Sequence, residues 1–234
     1  PPVDAMRTVD AFADLRRLGK PVLTTDDAAL RTRTTLSAAS RMLSRLAAAG
    51  LVRRLRRGLW SLATTVRDAR ALAGDLTRPY PSYVSFESAL FAHGVIDQVP
   101  RTITLASLGR PRVARTAIAT FVIHRLPPEL FGGFIGEGDI RVASVEKALF
   151  DFHYVTEASG RPTRRLPEIE LPPRFSRREL TRWVGRISDP RLRRRVGARL
   201  DRVLAPYLRS PRLARPEDAA KFSMDVTVVR RSKR

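Results

Sequence analysis

The chain has 234 residues and no cysteine, and its 44 basic against 23 acidic side chains give a net charge of +21. The missing thiols exclude a disulfide framework, a thiolate metal site and a cysteine nucleophile, and no apolar run approaches the roughly 20 residues needed to cross a bilayer. The N-terminus also lacks the charged-then-apolar order of a secretory signal. The expectation is a cytoplasmic protein with no membrane partner, long enough for two modest domains.

The charge is unevenly spread. Residues 1–80 hold 15 basic and 7 acidic groups, residues 81–160 hold 7 and 8, and residues 161–234 hold 22 and 8. Cationic flanks around a neutral middle point to a polyanionic partner. Forty of the basic residues are arginine, an excess that a GC-rich coding bias also produces, so the clustering carries more weight than the count.

Along the chain, residues 4–18 read as an amphipathic helix with Phe12, Leu15 and Leu18 on its apolar side, ended by Gly19 and Pro21. Thr25, followed by Asp26 and Asp27, reads as the capped start of a short helix running to about Leu30. A polar turn over 31–34 follows, and Thr35 then caps a second helix that stops at Gly50. Leu36, Ala39, Leu43, Leu46 and Ala47 repeat at three- and four-residue spacing and are expected in the core. The opposite face carries Ser37, Arg41, Ser44, Arg45 and Ala48, small or cationic groups suited to a groove. Residues 51–56 and 59–62 read as two short strands turning at Arg57-Gly58, a hairpin crowded by Arg53, Arg54, Arg56 and Arg57. Such a hairpin lies along phosphates or enters a minor groove. In this order the elements spell a winged helix-turn-helix.

A helix over 65–76 and a proline-containing turn over 77–82 mark a domain boundary. Beyond it come a helix over 83–93 closed by Gly94, strands over 102–106 and 119–126, a loop between them, a short strand over 140–142 and a helix over 144–155. Residues 160–173 are proline-rich. Two basic helices over 176–187 and 190–204, a strand over 222–229 and a basic tail complete the chain. The expected fold class is α+β: an N-terminal winged helix-turn-helix domain over 1–78, then a mixed α/β domain over 79–234 ending in basic helices.

Catalytic signals are weak. His93, His124 and His153 have no metal-type spacing and no paired nucleophile or base, which favours structural roles. The glycines of 131–138 lack the lysine ending of a phosphate loop and read as a connector. The one enzymatic alternative is a metal-dependent nuclease built on Glu137, Asp139, Glu146, Lys147 and Asp151. Glu146 and Lys147 are adjacent on a helix and point about 100 degrees apart, so these groups are expected on a solvated helix face. No catalytic residue, cofactor or metal is expected. An RNA-binding protein is the other alternative. The basic helix with Arg191, Arg193, Arg194, Arg195, Arg199 and Arg202 is open to nucleic acid, an acidic protein surface or plain solvation.

The winged segment, together with YVSFESALFAHGVIDQVPRTITLASLGRPR, resembles the AbiEi-type antitoxins, the transcriptional regulators of type IV toxin–antitoxin and phage-defence operons. The strongest match is S-x-x-SAL-x-x-HG from Ser85 to Gly94, followed by VPRTITLA; FVIHRL and VASVEKALFDF fit the same family's second domain. The resemblance covers about residues 4–155. It implies that the N-terminal domain binds double-stranded DNA at inverted repeats in its own promoter and represses transcription, with two copies on the operator. It further implies that the C-terminal domain counteracts a cognate nucleotidyltransferase toxin. Carried onto this chain, DNA contact falls on Arg33, Thr34, Thr35, Ser37, Arg41, Arg45 and the hairpin arginines, with Ser44 on the same face. Ala89, Leu90 and Gly94 are then structural. Some relatives carry a nuclease-like second domain, but its Glu-x-Lys spacing is missing here.

Overall fold

The computed structural model describes residues 3–62, 68–136, 140–160 and 165–209. The strand expected over 222–229, the basic tail, part of the helix expected over 65–76, and Glu137 and Asp139 lie outside the described residues. Within them the chain is mixed α+β, with eight α-helices and two sheets.

The first part comprises α1 (Val3–Arg16), β1 (Val22–Thr24), α2 (Thr25–Thr32), α3 (Leu36–Ala48), β2 (Arg53–Arg56) and β3 (Leu59–Ser61). The strands form an antiparallel sheet in the order β1-β3-β2. Sequence spacing does not show strand β1, because three residues are too few to show a period and among the described residues it pairs with the distant β3. Its extended backbone also moves the cap of α2 back by one residue. Thr24, not Thr25, accepts from the Asp27 backbone N–H (3.0 Å) while the Asp27 carboxylate accepts from the Thr24 N–H (2.9 Å), a reciprocal capping box. Thr25 instead accepts a hydrogen bond from Trp60 Nε1 (3.1 Å). Thr35 caps α3 as expected, and Gly50, at φ +72°, supplies the left-handed stop. Leu15, Leu23, Ala28, Ala39, Leu43, Leu46 and Trp60 form the core between these elements.

After a 3₁₀ turn over Ala69–Leu72 come α4 (Ala73–Thr77), β4 (Ser82–Val84), α5 (Phe86–Ala92), β5 (Ile103–Ser107), β6 (Arg112–Arg115), β7 (Thr120–Arg125), β8 (Phe134–Ile135), β9 (Val142–Ala143), α6 (Val145–Ala158), α7 (Arg177–Gly185) and α8 (Pro190–Arg209). The sheet is mixed, in the order β6-β7-β5-β4-β9-β8. Three sequence expectations change. Tyr83 and Val84 belong to a strand rather than to the following helix, because β5 and β9 pair with them from either side. The segment read as a loop between β5 and β7 contains β6, an edge strand whose arginines suit an exposed margin. The glycine-rich connector contributes β8.

One face of this sheet is covered by α5 and α6, with α7 and α8 packed outside them. The other face meets the N-terminal part. Val22, Leu55 and Leu59 share a buried cluster with Leu72, Leu76, Val84, Leu105, Phe121 and Ile123. The Ala117 N–H also donates to the Leu55 carbonyl across the junction (2.8 Å). Hairpin β2–β3 thus has an arginine-bearing side and an apolar side that is shared with the second sheet.

Candidate nucleic-acid interface

Two elements display the residues singled out for polyanion contact. On α3 the buried stripe of Ala39, Leu43 and Leu46 sets the rotation of the helix, so Ser37, Arg41, Ser44, Arg45 and Ala48 face solvent. Arg33 sits just before it in the left-handed region, at φ 53°, ending α2 and turning the chain, and Thr34 and Thr35 are exposed beside it. The hydroxyls here already have internal partners. Thr35 Oγ1 accepts from the Ala38 N–H (3.2 Å) and lies 3.1 Å from Ser37 Oγ, Thr34 Oγ1 lies 3.0 Å from Thr32 Oγ1, and Ser44 Oγ donates to the Ser40 carbonyl (2.9 Å). The cations do not. Among the described residues, Arg33, Arg41 and Arg45 make no ion pair and no side-chain hydrogen bond.

Leu36 departs from its expected place in the core: it is 55% exposed. Its helical phase matches the buried stripe, so position along the axis is what exposes it. It is the first residue of α3, and helix side chains lean toward the N-terminus, which carries this one past the end of the packed layer.

On the hairpin, Arg53, Arg54, Arg56 and Arg57 are all exposed, with Gly58 at φ +78° making the turn. Strand alternation points Leu55 inward between the outward Arg54 and Arg56, and a bulge falls at this place in the pairing with β3. The Arg54 guanidinium lies 5.5 Å from the Trp60 ring centroid, and Trp60 is in turn held by Thr25. Arg54 is therefore pre-oriented by a cation–π contact, whereas Arg53, Arg56 and Arg57 have no ion-pair partner among the described residues. The neighbouring Asp27 is engaged by Lys20 (3.8 Å) and Arg78 (3.3 Å). Burial tends to raise its carboxyl, but bonds from the Thr24 backbone and hydroxyl and from Arg78 outweigh that and hold it below the ordinary value.

The acidic and basic groups of α6 are not a solvated face. Glu146, Lys147 and Asp151 are all buried. Glu146 accepts from the Ser176 N–H (2.7 Å), tying α6 to the start of α7. Lys147 pairs with Asp151 four residues on and donates to the Leu130 carbonyl (2.7 Å), and its ammonium lies 4.4 Å from the Trp183 ring and 4.8 Å from that of Phe150. Asp151 accepts from the Ser85 hydroxyl (2.7 Å) and the Tyr83 hydroxyl (3.0 Å). Burial depresses the lysine and raises the aspartic acid, with their mutual attraction opposing both. A helical wheel treats charge as a solvent marker; here Tyr83 on β4 and Ser85 at the start of α5 supply partners that sequence spacing could not reveal. These groups close on one another rather than on an open site, and no cluster of potential metal ligands occurs among the described residues.

The histidines are structural in placement. His93 Nε2 donates to the Ala143 carbonyl (2.7 Å), the His124 ring packs tilted against that of Phe86 with centroids 4.6 Å apart, and His153 is buried, its ring nitrogens without a hydrogen-bond partner. Ala89 and Leu90 are fully buried and Gly94 adopts φ +68° after α5, which accounts for the SAL-x-x-HG pattern as packing plus a left-handed stop. On the C-terminal helix, Arg191, Arg194, Arg195 and Arg202 are exposed, and Arg195 reaches Glu157 at 3.9 Å. No helix among the described residues is long and apolar enough to cross a membrane. No protein-family model matches this chain, and no curated protein matches it.

Proposed function

We propose that the protein is a sequence-specific repressor that binds double-stranded DNA in its own promoter and doubles as the antitoxin of a type IV toxin–antitoxin pair, with no catalytic step of its own. The observation that carries the DNA half is the set of unpaired, exposed arginines on α3 and on hairpin β2–β3. Burying cations without partners is costly and leaving them clustered is repulsive, so such a set favours a polyanion. The three helices and the β1-β3-β2 sheet support a winged helix-turn-helix reading, in which α3 enters the major groove and the hairpin tracks phosphates. Arg41 and Arg45 then read base edges, while Arg53, Arg54, Arg56 and Arg57 supply affinity without sequence information. The antitoxin half, with its nucleotidyltransferase partner, rests on the resemblance of residues 83–155 to the AbiEi family.

Fluorescence anisotropy of the full chain tests the DNA half, using a duplex from its own upstream region and a scrambled duplex across a salt series. The full chain is needed because Val22, Leu55 and Leu59 share their core with the second sheet. The reading expects at least a hundredfold preference for the native duplex, with Arg41→Ala costing about 1–3 kcal/mol at one or two base pairs. Equal and steeply salt-dependent affinity for both duplexes would instead show a charge effect without specificity. Co-expression with the nucleotidyltransferase that this reading places beside it tests the antitoxin half, through relief of growth arrest.

A further inference from the structure

Leu36 is a large apolar side chain held in solvent among polar and cationic neighbours, where its place at the start of α3 carries it beyond the packed layer. Neither its helical phase nor its residue type calls for exposure, yet it is 55% exposed, and it is flanked by exposed Arg33, Thr34, Thr35 and Ser37. It occupies the first position of α3, directly after the Thr35 cap. In a helix docked in the major groove, the N-terminal residues are the ones that reach base edges. The major groove offers one apolar feature, the thymine 5-methyl group.

We propose that Leu36 is a specificity-determining residue that reads thymine by packing its side chain against the 5-methyl group. The inference rests on the duplex-DNA reading above and deepens it. The unpaired Arg33 and Arg41 favour a polyanionic occupant over a second copy of this cationic chain, and a methyl group on a phosphate-flanked duplex satisfies the apolar and the charged parts together. Arginine reading of guanine and leucine reading of thymine would then combine on one helix.

The test begins with duplexes enriched from a randomised library on the full chain. Each thymine of an enriched duplex is replaced in turn by deoxyuridine, which removes only the methyl, and affinities are measured by anisotropy for the wild type, Leu36→Ala, Leu36→Met and Leu30→Ala. Leu30 is the control, being 83% exposed but on α2. The expected result is a loss of about fourfold at one or two thymines, the value of one buried methyl. That loss should disappear in Leu36→Ala, persist in Leu36→Met and be unchanged in Leu30→Ala. Deoxyuridine losses that are absent, or equal in wild type and Leu36→Ala, would overturn the proposal while leaving DNA binding intact. A change of oligomeric state in DNA-free Leu36→Ala, with thymine discrimination unaltered, would overturn it in favour of a self-contact. If the library yields no enriched duplex at all, the DNA reading fails, and the proposal with it.

Discussion

Removing the Asp151 carboxylate should be among the most damaging single changes in this protein. Lys147 and Asp151 are each fully buried, and the aspartate accepts two hydroxyl hydrogen bonds in addition to its ion pair. Asp151→Ala leaves an ammonium with the Leu130 carbonyl and three ring faces as its remaining partners, and strands the hydroxyls of Tyr83 and Ser85. Breaking a buried pair from one side costs about 3–5 kcal/mol, a large share of a typical total stability of about 5–15 kcal/mol. Lys147→Met should cost less, about 2–4 kcal/mol, because a carboxyl already raised by burial can take up a proton and keep both hydroxyl bonds, leaving the Leu130 carbonyl as the main orphan. The double variant Lys147→Met/Asp151→Ala removes both charges, so it should cost no more than Asp151→Ala alone, giving a coupling of at least about 2–4 kcal/mol. Urea unfolding followed by fluorescence in a Trp60→Phe background, so that the signal is that of Trp183 against Lys147, measures all three. A cost below about 1 kcal/mol for Asp151→Ala, or additive single changes, would refute the account of a buried pair that holds α6 to the sheet.

Arg56→Ala should weaken binding to all duplexes alike and make the dependence of log affinity on log salt shallower by about one unit, with an unchanged slope counting against a phosphate contact. His153 should make the fold acid-sensitive. Burial, together with Arg199, lowers its imidazole to about 4, from an ordinary value of 6.5. The unfolded chain therefore binds the extra proton first, and stability falls as pH drops from about 6.5 to about 4, by up to about 3 kcal/mol. His153→Leu should flatten that part of the stability profile, and an unaltered profile would show that other groups carry it. Gly133 sits at φ +71°, where an added Cβ would lie 2.5 Å from the Trp183 ring and 3.0 Å from Lys147. Gly133→Ala should therefore destabilise by about 2–4 kcal/mol, combining left-handed strain with a displaced indole; thermal unfolding within a degree or two of the wild type would contradict that contact.

The local chemistry of the chain was legible without coordinates. Thr35 and Gly50 act as the cap and stop their types suggest, and Ala39, Leu43 and Leu46 fix which face of α3 carries Arg41 and Arg45. Each of these depends on contacts within a few residues, where spacing and side-chain chemistry suffice. What sequence spacing left undetermined are the consequences of long-range pairing. Strands β1 and β4 exist because remote segments hydrogen-bond to them. Helix α6 swallows Glu146, Lys147 and Asp151 because Ser176, Leu130, Tyr83 and Ser85 arrive from elsewhere to satisfy them. Leu36 is exposed although its helical phase is that of the core. Periodicity reports the angle of a side chain around its helix, whereas burial also depends on what lies opposite at that height, and that is decided only when the tertiary structure assembles.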